Sequence, residues 1–276
     1  MKINKFLYWL LIVILVALFL ISGTFIVRYA IDALQQKDEY DQLAAMVEQA
    51  RSDSATPSEP TDPFQLDEPD VPEQPTAPTE PTEPSILPEY ASLYELNPDM
   101  VGWMTIEGTP INYPVMQTPD RVDYYLKRNF NKEQSAHGCL YVRESCDVFA
   151  PSDNVTIYGH HMKDGSMFTS LKKFRSQSFW EEYSTINFDT LYEHHTYTIF
   201  AVFTTTASIG EGFPYHQFED AEDQAEFDNF VATCKKLSLI DTGITPEYGD
   251  KIICLSTCEY SQTNGRLVVA AVRDTE

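Results

Sequence analysis

The chain has 276 residues, with 42 acids against 19 bases and a formal net charge of −23. That length allows one or two domains, and the acidity excludes a nucleic-acid binder, which needs clustered Lys and Arg. Five cysteines are too few for a disulfide scaffold in a chain this long, and their odd number leaves at least one thiol unpaired unless chains cross-link.

The first element is apolar. Residues 6–27, "FLYWLLIVILVALFLISGTFIV", carry no charge and would span about 33 Å as a helix, enough to cross a bilayer. A cleaved signal peptide is the competing reading. Its apolar region is shorter and ends in small residues, whereas this run ends in Ile26, Val27, Arg28 and Tyr29. Lys2 and Lys5 precede the run and an acidic stretch follows it. The positive-inside rule then puts the N-terminus in the cytoplasm and everything after residue 28 outside, making residues 1–28 a cytoplasmic stub and membrane anchor.

Residues 30–51 can continue as a short amphipathic helix, but the composition of 29–88 as a whole reads as an acidic, Pro/Thr/Glu-rich linker. Residues 38–88 hold 13 acids and one base, Arg51, which is half of the chain's excess charge. Ten of the 17 prolines lie between Pro57 and Pro88, and "PTAPTEPTEPS" repeats Pro every third residue from Pro75 to Pro84. That spacing favours an extended polyproline II chain, which Glu80 and Glu83 stretch further by repulsion. A spacer is the preferred reading, and a docking site for a proline-binding partner is the alternative.

Residues 89–276 are long enough to bury one core. Seven runs rich in β-branched and aromatic residues are predicted as strands: 101–107, 111–117, 138–144, 154–160, 196–206, 251–258 and 266–272. Helical pieces are predicted near 90–96, 121–127 and 166–182. The clearest is 219–236, with acids at its start and Lys235 and Lys236 at its end, as the helix dipole favours. Many strands with few helices suggest a β-barrel with helical insertions.

Three residues could carry chemistry. Cys258 ends the strand-like "KIICLSTC" and precedes a polar turn, so it lies at a sheet rim. Cys254 shares its face but is about 13 Å away along a strand, too far for a disulfide. A thiol attacks as its thiolate and needs a basic or cationic neighbour. His160 closes "NVTIYGH" after Gly159, which permits close backbone approach. His161 would point to the opposite face. Arg266 opens the last strand beside Cys258 if the two strands form a hairpin. It could there donate to a developing oxyanion or a substrate carbonyl, with a surface salt bridge as the alternative. No metal is expected: adjacent histidines rarely reach one ion, and no Cys-x-x-Cys or His-x-x-x-His spacing occurs.

The stretches "NVTIYGHHMKDGSMF", "LSTCEY" and "NGRLVVAA", with "NPDMVGWMTIEGTPINYPV" and "DYYLKRNF" upstream, resemble the class B sortases over essentially all of 89–276. The resemblance implies a sortase-type eight-stranded β-barrel with peripheral helices and a cysteine transpeptidase of Gram-positive bacteria without a cofactor. It implies Cys258 as nucleophile, His160 as catalytic histidine and Arg266 as catalytic arginine. Ser256, Thr257, Glu259 and Leu126 are implied as substrate-groove residues. Some class B members carry an acid two positions after the cysteine; Tyr260 stands there, so no catalytic carboxylate is assigned, and Asp164 and Glu259 are read as solvated loop residues. The partners implied are secreted proteins with a C-terminal sorting signal, and a cell-wall amine or a pilin lysine as acceptor. A Cys/His cell-wall peptidase and a non-catalytic stalked surface module remain as rivals.

Overall fold

A computed structural model describes residues 5–55, 85–208, 210–261 and 263–275. Its core is a closed barrel. The strands are β1 (Met100–Thr105), β2 (Asn112–Met116), β3 (Leu140–Val142), β4 (Asn154–Tyr158), β5 (Thr185–Thr190), β6 (Thr196–Thr206), β7 (Ile252–Cys258) and β8 (Gly265–Arg273). They close in the order β1-β2-β3-β4-β7-β8-β6-β5. All seven predicted runs contain a strand. The eighth, β5, is "TINFDT". Its apolar residues Ile186 and Phe188 alternate with Asn187 and Asp189, so no run of β-formers marks it. Pairing with β1 and β6 on either side makes it a strand.

Strand alternation sorts the side chains of β7 and β8 onto two faces. Ile253, Leu255, Leu267, Val269 and Ala271 join the barrel interior. Ile252, Cys254, Val268, Ala270 and Val272 face outward, into a second core closed by Phe227, Phe230, Val231 and Cys234 of a covering helix. That helix, Gln224–Leu237, starts five residues later than its acidic run predicts. Asp223 caps it by accepting from the Glu226 N–H at 2.9 Å. Residues 219 and 220 are used elsewhere: the Glu219 carbonyl accepts from the Asn154 N–H at 2.8 Å, and the Asp220 carboxylate from the Asp153 N–H at 3.0 Å. The segment predicted as one helix over 166–182 is a 3-10 helix, Phe168–Arg175, followed by a short α-helix, Gln177–Glu182.

The N-terminal helix, α1 (Lys5–Ala55), is one element of 51 residues, about 77 Å long. Its first half is long and apolar enough to cross a membrane by length and composition, and its large apolar side chains are exposed. Its second half contains the helix expected over 30–51 and carries it on to Ala55, and one stripe of it seats on the barrel. Gln36, Tyr40, Leu43 and Val47, spaced by three or four residues, are buried. Gln36 Oε1 accepts from Ser135 Oγ at 2.6 Å, and Tyr40 Oη donates to the Gly138 carbonyl at 2.7 Å. Arg51 reaches Asp189 at 3.2 Å and Glu89 at 3.4 Å. His137, itself buried, lies with its ring nitrogens 3.2 Å from Asp32 and 2.7 Å from Asp164. Burial of this stripe removes those residues from any spacer. The proline repeat from Pro75 to Pro84 lies outside the described residues.

Candidate active site

Register places the three predicted chemical residues at one end of three adjacent strands. In the antiparallel pair β7–β8, Cys258 is level with Arg266. Both share the outward parity of Cys254 and Val268, so they continue the covered face past the end of the covering helix. In the parallel pair β4–β7, Tyr158 is level with Ser256, and the Gly159 N–H donates to the Ser256 carbonyl at 3.1 Å. Two residues further on each chain come His160 and Cys258. Cys258 thus has the histidine on one side and the arginine on the other.

The three line a groove of about 340 Å³ with Leu126, Tyr158, His216 and Ser256. Gly159 is required here by space. A Cβ at that position would lie 2.6 Å from side-chain carbons of both Leu140 and Phe168, so only glycine lets the chain after β4 pass close enough to bring His160 to the groove.

Cys258 is partly exposed, while Cys139, Cys146, Cys234 and Cys254 are buried and all five are free thiols. Burial pushes all four of the others up, Cys146 to about 11. Desolvation disfavours a thiolate at those positions, which leaves Cys258 as the thiol placed for chemistry.

The His160 ring is oriented by a carbonyl. Its Nε2 donates to the Leu126 carbonyl at 2.6 Å. A carbonyl only accepts, so Nε2 carries a proton and Nδ1 holds the lone pair of the neutral ring. Leu126 ends up close to its sequence-based position, as a groove-lining residue, and its backbone has a second use that no side-chain pattern could reveal. Gly138 holds that peptide in place. Its φ is +59°, and a Cβ there would sit 2.6 Å from the carbonyl oxygens of both Tyr125 and Leu126.

The remaining predicted groove residues divide. Ser256 faces the groove, with its hydroxyl 2.5 Å from that of Tyr215. Thr257 borders the groove, but alternation turns its side chain toward the barrel interior, where Oγ1 is buried without a hydrogen-bond partner. Glu259 is absent from the groove wall; its carboxylate accepts from Ser261 and faces Arg175 at 3.6 Å. Asp164 is an exposed turn residue, as expected of a loop acid, and its carboxylate bonds His137 rather than His160. Among the described residues neither Asp164 nor Glu259 is bonded to His160. The place filled by an orienting carboxylate in other Cys/His sites is filled here by the Leu126 carbonyl.

Arg266 Nη1 donates to the carbonyls of Gly265 at 3.0 Å and Asn264 at 3.3 Å. Those bonds hold the guanidinium at the groove edge and leave its other donors for a ligand. His216, also in the groove wall, has its pKa lowered by burial and then by the cations Arg143 and Arg266. Tyr215 and His216 come from the segment between β6 and the covering helix, and sequence pattern gave no signal for either. Among the described residues, no cluster of three or more His, Cys, Asp or Glu could hold a metal ion.

Comparison with known proteins assigns the chain to a family. The sortase domain family model matches residues 104–274. The chain is 33% identical over 188 residues to Sortase B of Staphylococcus aureus, covering 67% of this chain and 75% of that protein. It is 33% identical over 183 residues to Sortase B of Listeria monocytogenes, covering 66% of this chain and 72% of that protein. A solved Staphylococcus aureus sortase B–substrate complex superposes with a TM-score of 0.72 at 26% identity, covering 89% of this chain and 99% of that one. Sortase B from B. anthracis in complex with AAEK1 gives 0.68 at 30%, with the same coverage. The match spans the barrel and both strands that carry the cysteine and the arginine, and the chain belongs to the sortase family, in class B, as a cysteine transpeptidase.

Proposed function

We propose that residues 6–27 anchor this chain in the cell membrane with its N-terminus in the cytoplasm, and that the barrel works outside. There it joins secreted proteins carrying a C-terminal sorting signal to an amine of the cell wall. The observation that carries this reading is the register of β4, β7 and β8, which sets His160 and Arg266 on either side of a partly exposed Cys258 in one groove.

The Cys258 thiol gives its proton to His160 Nδ1, and the thiolate attacks the carbonyl carbon of a Thr in the sorting signal, forming a C–S bond and a tetrahedral oxyanion. Arg266, with N–H donors not used by Asn264 and Gly265, stabilises that oxygen. Collapse breaks the C–N bond, and His160 supplies the proton that the leaving amine takes. The acyl group is then a thioester on Cys258. An incoming amine attacks it and gives up a proton to His160, Cys258 leaves as thiolate, and a new amide bond is made. The substrate complex solved for the Staphylococcus aureus relative supports a peptide in this groove.

The test is a library of internally quenched peptides with C-terminal sorting segments, followed by mass spectrometry of the trapped acyl-enzyme. The acyl adduct is expected on Cys258, and Cys258→Ala is expected to abolish both adduct and cleavage. Retained turnover in that variant overturns the assignment. Adding amine acceptors separates wall transfer from pilin joining and from simple hydrolysis, through the identity of the released product.

A further inference from the structure

The parallel ladder between β4 and β7 ends with the Gly159 N–H on the Ser256 carbonyl. His160 and Cys258 both lie beyond it, on chain segments that the sheet no longer holds together. The next bond across the gap comes from His161, whose Nδ1 donates to the carbonyl of Cys258 itself at 3.0 Å. One hydrogen bond therefore joins the residue after the proposed acid/base to the backbone of the proposed nucleophile.

Three further contacts tie the same two segments. The Tyr260 ring meets the His161 ring edge-on, with centroids 5.2 Å apart. Tyr260 Oη donates to the His161 carbonyl at 3.3 Å. Arg175, at the end of the 3-10 helix after His161, faces Glu259 at 3.6 Å. The His161 segment is braced on its other side as well: the His160 carbonyl accepts from the Phe168 N–H at 2.9 Å, and Thr169 Oγ1 bonds Met162 at both its N–H and its carbonyl.

We propose that His161 is a positioning residue: its bond to the Cys258 carbonyl, backed by Tyr260, sets the distance and angle between His160 and the Cys258 thiol. The acceptor is a carbonyl, so Nδ1 carries a proton in the neutral ring and in the imidazolium alike. The clasp therefore does not depend on the protonation state of His161, which is not among the residues lining the groove. It explains why Tyr260 can occupy the position where an acid would otherwise be sought: an aromatic ring there packs against His161. The inference rests on the proposed roles of Cys258 and His160.

The test compares His161→Ala, His161→Asn and His161→Gln in the full chain, with the fastest-cleaved peptide of the library as probe. Asn places an amide donor near the Nδ1 position, whereas Gln places it near Nε2. His161→Ala is expected to lower kcat about tenfold or more, since small misplacements of reacting groups cost factors up to about a hundred, with KM within about twofold. His161→Asn is expected to recover most of kcat, and His161→Gln is expected to resemble Ala. The pH–rate profile of the Asn variant is expected to keep both limbs of the wild-type curve.

Three results would overturn the proposal: wild-type kcat in His161→Ala, rescue by Gln as good as by Asn, or a lost limb in the Asn profile. The last would make His161 a titrating participant. Matched thermal unfolding of Asn and Gln variants keeps the comparison valid if Ala alone folds poorly. Failure of the underlying reading looks different: wild-type protein would then form no acyl adduct on Cys258.

Discussion

The seam where α1 meets the barrel and the groove that holds Cys258 use polar groups in opposite ways. At the seam, polar groups are bound to each other, and Tyr40, His137, Tyr90 and Asp189 are buried: Tyr40 bonds Gly138, His137 lies between Asp32 and Asp164, and Arg51 meets Tyr90 and Asp189. In the groove, Cys258 is partly exposed and, among the described residues, Arg266 bonds only backbone carbonyls of its own turn. A buried polar group that finds all its partners within the fold stabilises it and is unavailable to a ligand. Groups left with spare donors at a strand end cost stability or gain little, and they are where chemistry can occur. The two regions nonetheless meet at one residue. Gly138 accepts from Tyr40 through its carbonyl, while its Cα lies against the Leu126 carbonyl that orients His160.

That meeting point gives the largest expected effect. Gly138→Ala puts a Cβ into two carbonyl oxygens at a positive φ, with about 1–3 kcal/mol of backbone strain before any clash is counted. Denaturant unfolding should show a loss at least that large, and peptide cleavage should fall further than unfolding explains because the Leu126 carbonyl must move. Unchanged cleavage by the folded fraction would mean that this carbonyl does not matter to His160.

A milder change separates the two regions. Tyr40→Phe removes one hydroxyl and leaves the Gly138 carbonyl without that donor, costing about 1–2 kcal/mol, read as a lower Tm. Turnover is expected to stay at the wild-type level. A parallel drop in kcat would show that the seam and the groove act as one unit.

The thiols sharpen the contrast without mutation. Iodoacetamide followed by peptide mapping should label Cys258 well before the other four, whose thiolates burial disfavours. Early labelling of Cys139 would place a local opening at the seam, since Cys139 adjoins Gly138 under Tyr40.

The smallest effect is in acid. Burial pushes the Asp164 carboxyl up, but hydrogen bonds from Ser166 and His137 outweigh it and hold the group below its ordinary range. A carboxyl depressed by folding contributes stability that is present above its unfolded pKa and is lost as pH falls through its folded one. The wild-type Tm should therefore decline more steeply than that of Asp164→Asn between about pH 5 and pH 2. Identical slopes would remove Asp164 from the pH dependence.

The sequence made some of this legible and hid the rest for specific reasons. β7 and β8 are near-continuous apolar runs because both of their faces are covered, one in the barrel interior and one in the second core, so hydrophobicity alone marks them. β5 alternates Ile186 and Phe188 with polar residues and lacks that signal. The amphipathic helix expected over 30–51 was legible from the spacing of Gln36, Tyr40, Leu43 and Val47, but composition could not say what that stripe packs against. Thr257, implied as a groove residue by the family resemblance, borders the groove, but a strand sends adjacent side chains to opposite faces, so its own side chain turns inward. The orienting group of His160 is a backbone carbonyl, which every residue possesses and no sequence pattern can single out.

By itself, then, the sequence determined an apolar N-terminal segment, a β-rich domain, and the residue types that could attack, transfer a proton and hold an oxyanion. These follow from hydrophobic periodicity and side-chain chemistry, which are local properties. Tertiary structure decided which strand ends lie side by side, which carbonyl orients His160, that His161 clasps the backbone of Cys258, and that α1 seats on the barrel. Those depend on register and on contacts between residues up to 138 positions apart, and only the closed barrel brings such residues together.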